Sequence, residues 1–264
     1  MSKRILFLFF LAVPVLSAKA GIFVLNGLTH LYKVENGQVL KGKVQIQNTA
    51  DHPQDVKIYL QDLSYFADGR TLYIDPQTNE KSNAGWVKLN TNLITLKGKE
   101  KLDIFYEITV PQNVTDIGTY WSVLIIEPTQ IIESAKQTGV TITNTMRYAI
   151  QLITNVQPEK AKTDLNFERV DIEINGTNRE VKLAVANKGT LYTRPVAGIE
   201  IFDRITGSKV GSFQSGPMGL LPSTSKMFTI DISAVNPGNY SAVLLLSDQN
   251  DNAFAMNIDL ELKE

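Results

Sequence analysis

The sequence predicts an all-β protein: two tandem β-sandwich domains that follow a cleaved signal peptide. Three observations carry this. Landmark residues recur in the same order in the two halves, apolar residues alternate with period two, and turn signals fall at short intervals.

The recurrence is the strongest of the three. Gly118-Thr119-Tyr120-Trp121-Ser122-Val123-Leu124 is echoed by Gly238-Asn239-Tyr240-Ser241-Ala242-Val243-Leu244. Upstream, Val44-Gln45-Ile46-Gln47-Asn48 is echoed by Leu183-Ala184-Val185-Ala186-Asn187. Between them, Leu96 and Lys101, which lead to Pro111, are echoed by Leu221 and Lys226, which lead to Pro237. One β-domain built twice explains all three.

The elements follow in chain order. Residues 1–20 read as a signal peptide: Lys3 and Arg4 start it, Ile5 to Leu16 is apolar, and Ala18-Lys19-Ala20 fits a small-x-small cleavage site. The run is too short for a membrane span. Expected strands of the first domain, residues 21–157, lie near Phe23–Val34, Val39–Gln47, Asp55–Tyr65, Leu93–Leu96, Lys101–Val110, Thr119–Glu127 and Val140–Asn155. Within Lys43–Gln47, Asp55–Leu60 and Glu180–Val185 polar and apolar residues alternate, as a half-buried strand requires. The stretch from Ala67 to Gly85, rich in Asp, Asn, Gly, Ser and Pro, is expected to be an inserted surface loop. The polar, Pro-containing run Gln157–Lys162 marks the boundary. The second domain, residues 158–264, has expected strands near Leu165–Ile174, Glu180–Asn187, Val196–Asp203, Lys209–Phe213, Lys226–Ile232, Asn239–Ser247 and Ala253–Leu262. Turn signals such as Asn36-Gly37, Asp68-Gly69, Asn175-Gly176 and Pro237-Gly238 punctuate both halves. Tyr120 and Tyr240 each follow a Gly turn and precede an apolar strand. That is the position of the tyrosine corner of immunoglobulin-like sandwiches, so both domains are read as immunoglobulin-like.

Composition narrows the function. Of 26 basic residues, Lys3, Arg4 and Lys19 lie in the signal peptide, so 23 basic residues face 27 acidic ones and the mature net charge is −4. That balance argues against nucleic acid. The chain has no Cys, which excludes disulfides, thiol catalysis and Cys-ligated metal. His30 and His52, the only two histidines, stand apart without paired ligands and are read as ordinary strand or surface residues. Ser223-Thr224-Ser225-Lys226 satisfies Ser-x-x-Lys but sits on a repeated turn-to-strand landmark and lacks the companion motifs of penicillin-binding enzymes. Asp248, Asn250, Asn252 and Asp259 share calcium-loop spacing, yet Ala253 replaces the required Gly, so a hairpin turn is expected there. No metal or cofactor is expected, and no enzyme.

Several strings of the first half bear a family resemblance. Gly37 to Thr49 reads Gly-x-x-x-x-Gly-x-Val-x-Ile-x-Asn-Thr; Trp86-Val87-Lys88-Leu89 follows, then Thr95 to Lys101, a strand ending Val110-Pro111, Gly118-Thr119-Tyr120, and Arg147-Tyr148-Ala149-Ile150-Gln151-Leu152-Ile153. This resembles the periplasmic pilus-chaperone (PapD-like) superfamily, and the likeness extends loosely over both domains. The first domain is also similar to the surface proteins that interact with cell-wall WxL proteins, which normally end in a membrane helix.

The chaperone resemblance implies an exported, periplasmic protein that captures subunits of fimbriae or another surface structure by β-strand addition. In that family two basic residues in the interdomain cleft hold a subunit's C-terminal carboxylate, and an alternating edge strand completes the subunit's sandwich. By position, Arg147 matches one basic residue, and Lys33 is the nearest basic side chain to the other. Val140 and Ile142 alternate along the expected edge, with Asn144 breaking the series. The alternative reading is a secreted or cell-surface adhesion module that binds peptidoglycan or other cell-wall components through the Ala67–Gly85 loop and aromatics such as Tyr73. In neither reading does the mature chain span a membrane.

Overall fold

The computed structural model describes residues 21–129 and 146–263. Every regular element among them is a strand, apart from one 3₁₀ turn at Ala84–Trp86. No helix among the described residues is long and apolar enough to cross a membrane.

The first sandwich contains β1 (Ile22–Val24), β2 (Thr29–Val34), β3 (Val39–Asn48), β4 (Gln54–Tyr65), β5 (Thr71–Ile74), β6 (Val87–Leu89), β7 (Leu93–Leu96), β8 (Lys101–Thr109), β9 (Gly118–Thr129) and β10 (Tyr148–Val156). One sheet has the order β1-β3-β8-β6, the other β2-β10-β9-β4-β5, with β7 also pairing β4. Between them lie Val44 and Ile46 of β3, Ile104 and Ile108 of β8, Leu124 and Ile126 of β9, and Ile150 and Leu152 of β10, all withdrawn from solvent. Each buried aliphatic side chain of this size contributes about 1.5–3 kcal/mol. With no disulfide available, burial and backbone pairing hold the domain.

The second sandwich contains β11 (Leu165–Asn175), β12 (Asn178–Asn187), β13 (Val196–Asp203), β14 (Lys209–Gln214), β15 (Ser225–Asp231), β16 (Gly238–Ser247) and β17 (Ala253–Leu262). Its sheets run β11-β12-β15 and β14-β13-β16-β17. All seven strands lie within two residues of their expected bounds.

Three expectations for the first half need correction. Phe23–Val34 is two strands in opposite sheets, not one. Asn26 clamps β3 with its side chain, donating to the Lys43 carbonyl at 2.8 Å and accepting from the Gln45 amide at 2.9 Å. Gly27, with φ +88°, then turns the chain toward β10. The Ala67–Gly85 stretch is not all loop, because the Asp68-Gly69 turn folds it back as β5 against the end of β4. Its remainder is fastened to the sheet: the Asp62 carboxylate accepts from the Asn79 amide at 2.8 Å and the Ser82 hydroxyl at 2.5 Å. Third, β6 pairs β8 and is a strand of its own.

The repeated landmarks have a structural cause. Asn48 and Asn187 are both fully buried. The Asn48 side-chain amide donates to the carbonyls of His52, Leu96 and Lys97, and its oxygen accepts from the Ala50 amide. Asn187 repeats this with the carbonyls of Leu191 and Leu220 and the amide of Gly189. The partner of Leu96 in the repeat is therefore Leu220, one residue before the Leu221 that the sequence alignment suggests. The tyrosine corners are present too: the Tyr120 hydroxyl donates to the Asp116 carbonyl at 2.8 Å, and Tyr240 to Asn236 at 3.0 Å. Asp248 closes the last hairpin, its carboxylate accepting from the Asn250 and Asn252 amides.

Candidate partner-binding site

The strand that the sequence nominates for partner capture is β10, and its two edges differ. On one side all of it pairs antiparallel with β9, from Tyr148↔Ile126 to Val156↔Gly118. On the other, β2 pairs with it in parallel only from Gln151↔Thr29 to Val156↔Val34. The Gln151 amide donates to the Leu28 carbonyl at 2.9 Å, so Gln151, Ile153 and Asn155 turn their backbone groups toward β2. By the same alternation, Ala149 turns its N–H and C=O toward the side where, among the described residues, no strand pairs. Such a half-covered edge is a template for an added strand.

The four nominated side chains fall in different places. Val140 and Ile142 lie outside the described residues. Arg147 directly precedes β10. Its guanidinium sits 5.1 Å from the centre of the Tyr73 ring and engages the Tyr59 hydroxyl, which donates to Glu127 at 2.6 Å. Burial, then the Glu127 carboxylate, push the Tyr59 hydroxyl above the usual tyrosine range, while Arg147 opposes them. Lys33 pairs with Asn155 at the opposite end of β10 and forms an exposed ion pair with Glu159 at 3.5 Å. From Arg147 to Asn155 the strand covers roughly 26 Å at ~3.3 Å per residue. The two cations therefore do not converge on one carboxylate.

The outer face of the β10-β9-β4 sheet is apolar. Trp121, Val123 and Ile125 of β9, Ile153 of β10 and Leu63 of β4 point away from the first core, yet all are buried and share one cluster with the core of the second sandwich. The Trp121 indole donates to the Leu63 carbonyl at 2.7 Å. The signal was present in the sequence: Tyr120 to Ile126 does not alternate, as expected for a strand covered on both faces.

Direct hydrogen bonds join the two sandwiches at that face. The Tyr65 hydroxyl accepts from the Leu221 amide at 2.9 Å and donates to the Gly219 carbonyl at 3.1 Å. Burial pushes it up to about 12, so it stays a neutral donor. The Thr119 amide donates to the Thr190 carbonyl at 2.8 Å, and its hydroxyl accepts from the Tyr192 amide at 2.7 Å. Gly118, at φ +117°, lets the chains approach: a Cβ there would meet the Thr190 carbonyl oxygen at 2.3 Å. Sequence reading singled out Gly118 for its repeat but missed this contact, which Gly238 does not make.

Between the β4–β5 hairpin and the second sandwich lies an open groove of about 530 Å³. Its basic groups are already matched: Arg70 to Asp68 at 2.7 Å, Arg169 to Asp171 at 2.7 Å, and Lys188 to Glu168 at 3.2 Å. The groove therefore presents no surplus charge to an anion. Among the described residues no group of His, Asp or Glu is placed to hold a metal ion.

Two linked immunoglobulin-like sandwiches with a half-covered last strand in the first define the architecture. It is similar to solved structures of pilus chaperone systems. One is a chain from the chaperone–tip adhesin complex of CFA/I fimbriae biogenesis, with 11% identity and a TM-score of 0.48, covering 90% of this chain and 98% of that one. A second comes from the CsuC–CsuE pre-assembly complex of Csu pili of Acinetobacter baumannii, with 17% identity, a TM-score of 0.44 and coverage of 91% and 98%. A third comes from the Salmonella enterica SafA pilin–SafB chaperone complex, with 12% identity, a TM-score of 0.44 and coverage of 92% and 96%. No protein-family model and no curated protein sequence matches the chain.

Proposed function

We propose that this chain is an exported, non-enzymatic protein-binding protein. It works in the periplasm as an assembly chaperone, capturing subunits of fimbriae or a related surface structure by β-strand addition to β10. The observation that carries the reading is that, among the described residues, Tyr148–Ile150 pair on one side only, beside the parallel half-strand β2. An extended segment laid there gains backbone hydrogen bonds from Ala149, and alternate side chains face the sandwich. Val140 and Ile142, which alternate in the sequence before Asn144, are the apolar side chains we assign to contact with the subunit. Arg147 offers a charge-assisted hydrogen bond to a subunit carboxylate at the open end. Lys33 meets only a partner long enough to reach the interdomain end of the strand.

The test is co-purification of the mature protein with candidate subunits from a periplasmic extract. Ala149→Pro removes the outward N–H while sparing the pairing with β9, which uses the neighbouring residues. Loss of capture with unchanged far-UV circular dichroism supports strand addition. Arg147→Ala and a double charge substitution at Val140 and Ile142 should each weaken capture. If capture survives all three changes, the proposed edge is wrong.

A further inference from the structure

Among the described residues, the second sandwich leaves a different edge open, and its character is unusual for this chain. The outermost strands elsewhere are short or interrupted. β1 and β6 have three residues, β5 and β7 four, β2 and β14 six, and β15 seven. The long edge strand β11 is broken by a bulge between Phe167 and Arg169. Such devices keep sheets from pairing with other molecules. β17 has none of them: ten residues without proline, in unbroken register from Gly238↔Leu262 to Ser247↔Ala253, and last in its sheet.

Hairpin geometry says which groups face out. The Asp248 amide donates to the Asn252 carbonyl at 3.1 Å, so Asp248 and Asn252 form a hydrogen-bonded pair. Alternation then gives Phe254, Met256, Ile258 and Leu260 the bonds to β16, and leaves the N–H and C=O of Ala253, Ala255, Asn257, Asp259 and Glu261 pointing away from it. Those five residues are also the exposed ones.

We infer that β17 is a self-association edge, on which a second copy of this chain pairs antiparallel about a two-fold axis through Asn257. The charge pattern suits a second copy in this register. With Asn257 opposite its own copy, Ala255 faces Asp259 and Ala253 faces Glu261, so each acidic side chain meets a small neutral one. Lys263, which lies 3.7 Å from Glu261, then lies against Asp251 of the other copy. Moving the axis to Met256 would set Asp251 against Glu261. Moving it to Asp259 would set that carboxylate against itself, and like charges directly opposite are unfavourable. A self-complementary patch is what a two-fold contact requires. The inference concerns the second sandwich alone and stands whatever β10 binds.

Sedimentation velocity of the full mature chain from micromolar to millimolar concentration tests it, in low salt so that the ion pairs are not screened. A concentration-dependent monomer–dimer equilibrium is expected. Ala255→Pro deletes an outward N–H without touching the bonds to β16, and should weaken association at least about tenfold with an unchanged circular dichroism spectrum. Lys263→Glu should weaken it by a factor of several, and adding Asp251→Lys should restore it. A wild type that stays monomeric throughout, including one whose β17 instead takes another protein's strand, overturns the inference. So does a dimer indifferent to Ala255→Pro, or a double charge exchange that fails to restore pairing.

Discussion

Replacing Asn187 with alanine should unfold the second sandwich at much lower denaturant than the wild type requires. The side chain is fully buried and has three partners: the carbonyls of Leu191 at 2.8 Å and Leu220 at 3.1 Å, and the amide of Gly189 at 2.9 Å. The Leu220 carbonyl keeps a second donor, the Thr193 amide at 3.2 Å. Two groups, the Gly189 N–H and the Leu191 C=O, lose the bond that Asn187 supplied. At about 1–2 kcal/mol for each buried polar group left unpaired, the loss is about 2–4 kcal/mol. With a urea slope of about 2 kcal/mol/M, the midpoint falls by about 1–2 M. Far-UV circular dichroism is the appropriate probe. Both tryptophans, Trp86 and Trp121, belong to the first sandwich, and Trp121 also packs against the second, so their fluorescence mixes the two domains. A loss below about 0.5 kcal/mol would refute the claim that this asparagine is the repeated clamp of the fold.

Three other outcomes follow from the same contacts. Tyr65→Phe leaves the Leu221 amide and Gly219 carbonyl without the hydroxyl that joins them, and should cost about 1–3 kcal/mol; scanning calorimetry should then resolve the two sandwiches as separate transitions. Gly118→Ala places a methyl group 2.3 Å from the Thr190 carbonyl oxygen at a backbone angle L-residues avoid, and should loosen the junction by about 1–3 kcal/mol, read as faster amide exchange at Thr119 and Tyr192. His30, half-buried against the Tyr106 hydroxyl at 2.6 Å, is held below its ordinary value of 6.5, by burial above all. The unfolded chain therefore binds this proton more readily than the folded one. Stability is fully present above about pH 6.5 and is lost as pH falls through the depressed folded value. Urea midpoints between pH 7.5 and pH 5 should show this loss, and His30→Gln should flatten that part of the profile.

Most of the strand pattern was legible because it is local. Alternation placed β3, β4 and β12, and the repeated Asn and Tyr positions marked where each sandwich is clamped and cornered. What escaped is long-range. Sheet membership is not written into a run of residues, so Phe23–Val34 read as one strand although Asn26 and Gly27 carry it from one sheet to the other. The repeat register slipped by one because Leu220 and Leu221 are both leucines, and only the carbonyl that Asn187 reaches distinguishes them. β5 was hidden in a composition typical of loops. At the site, β10 was placed correctly in its described part, but the distance between Arg147 and Lys33 was not legible, because the parallel register with β2 fixes it. Tyr65 and Thr119 were read only as strand residues, since a residue that joins two domains looks the same in sequence as one that faces water.

Hydrogen exchange at the Ala149 amide, measured in the free protein and in a purified complex with a captured subunit, tests the central claim most directly. Strand addition on β10 predicts fast exchange in the free protein and strong protection in the complex, with the amides bonded to β9 little changed. An Ala149 amide that exchanges equally fast with the subunit bound would show that the partner sits elsewhere.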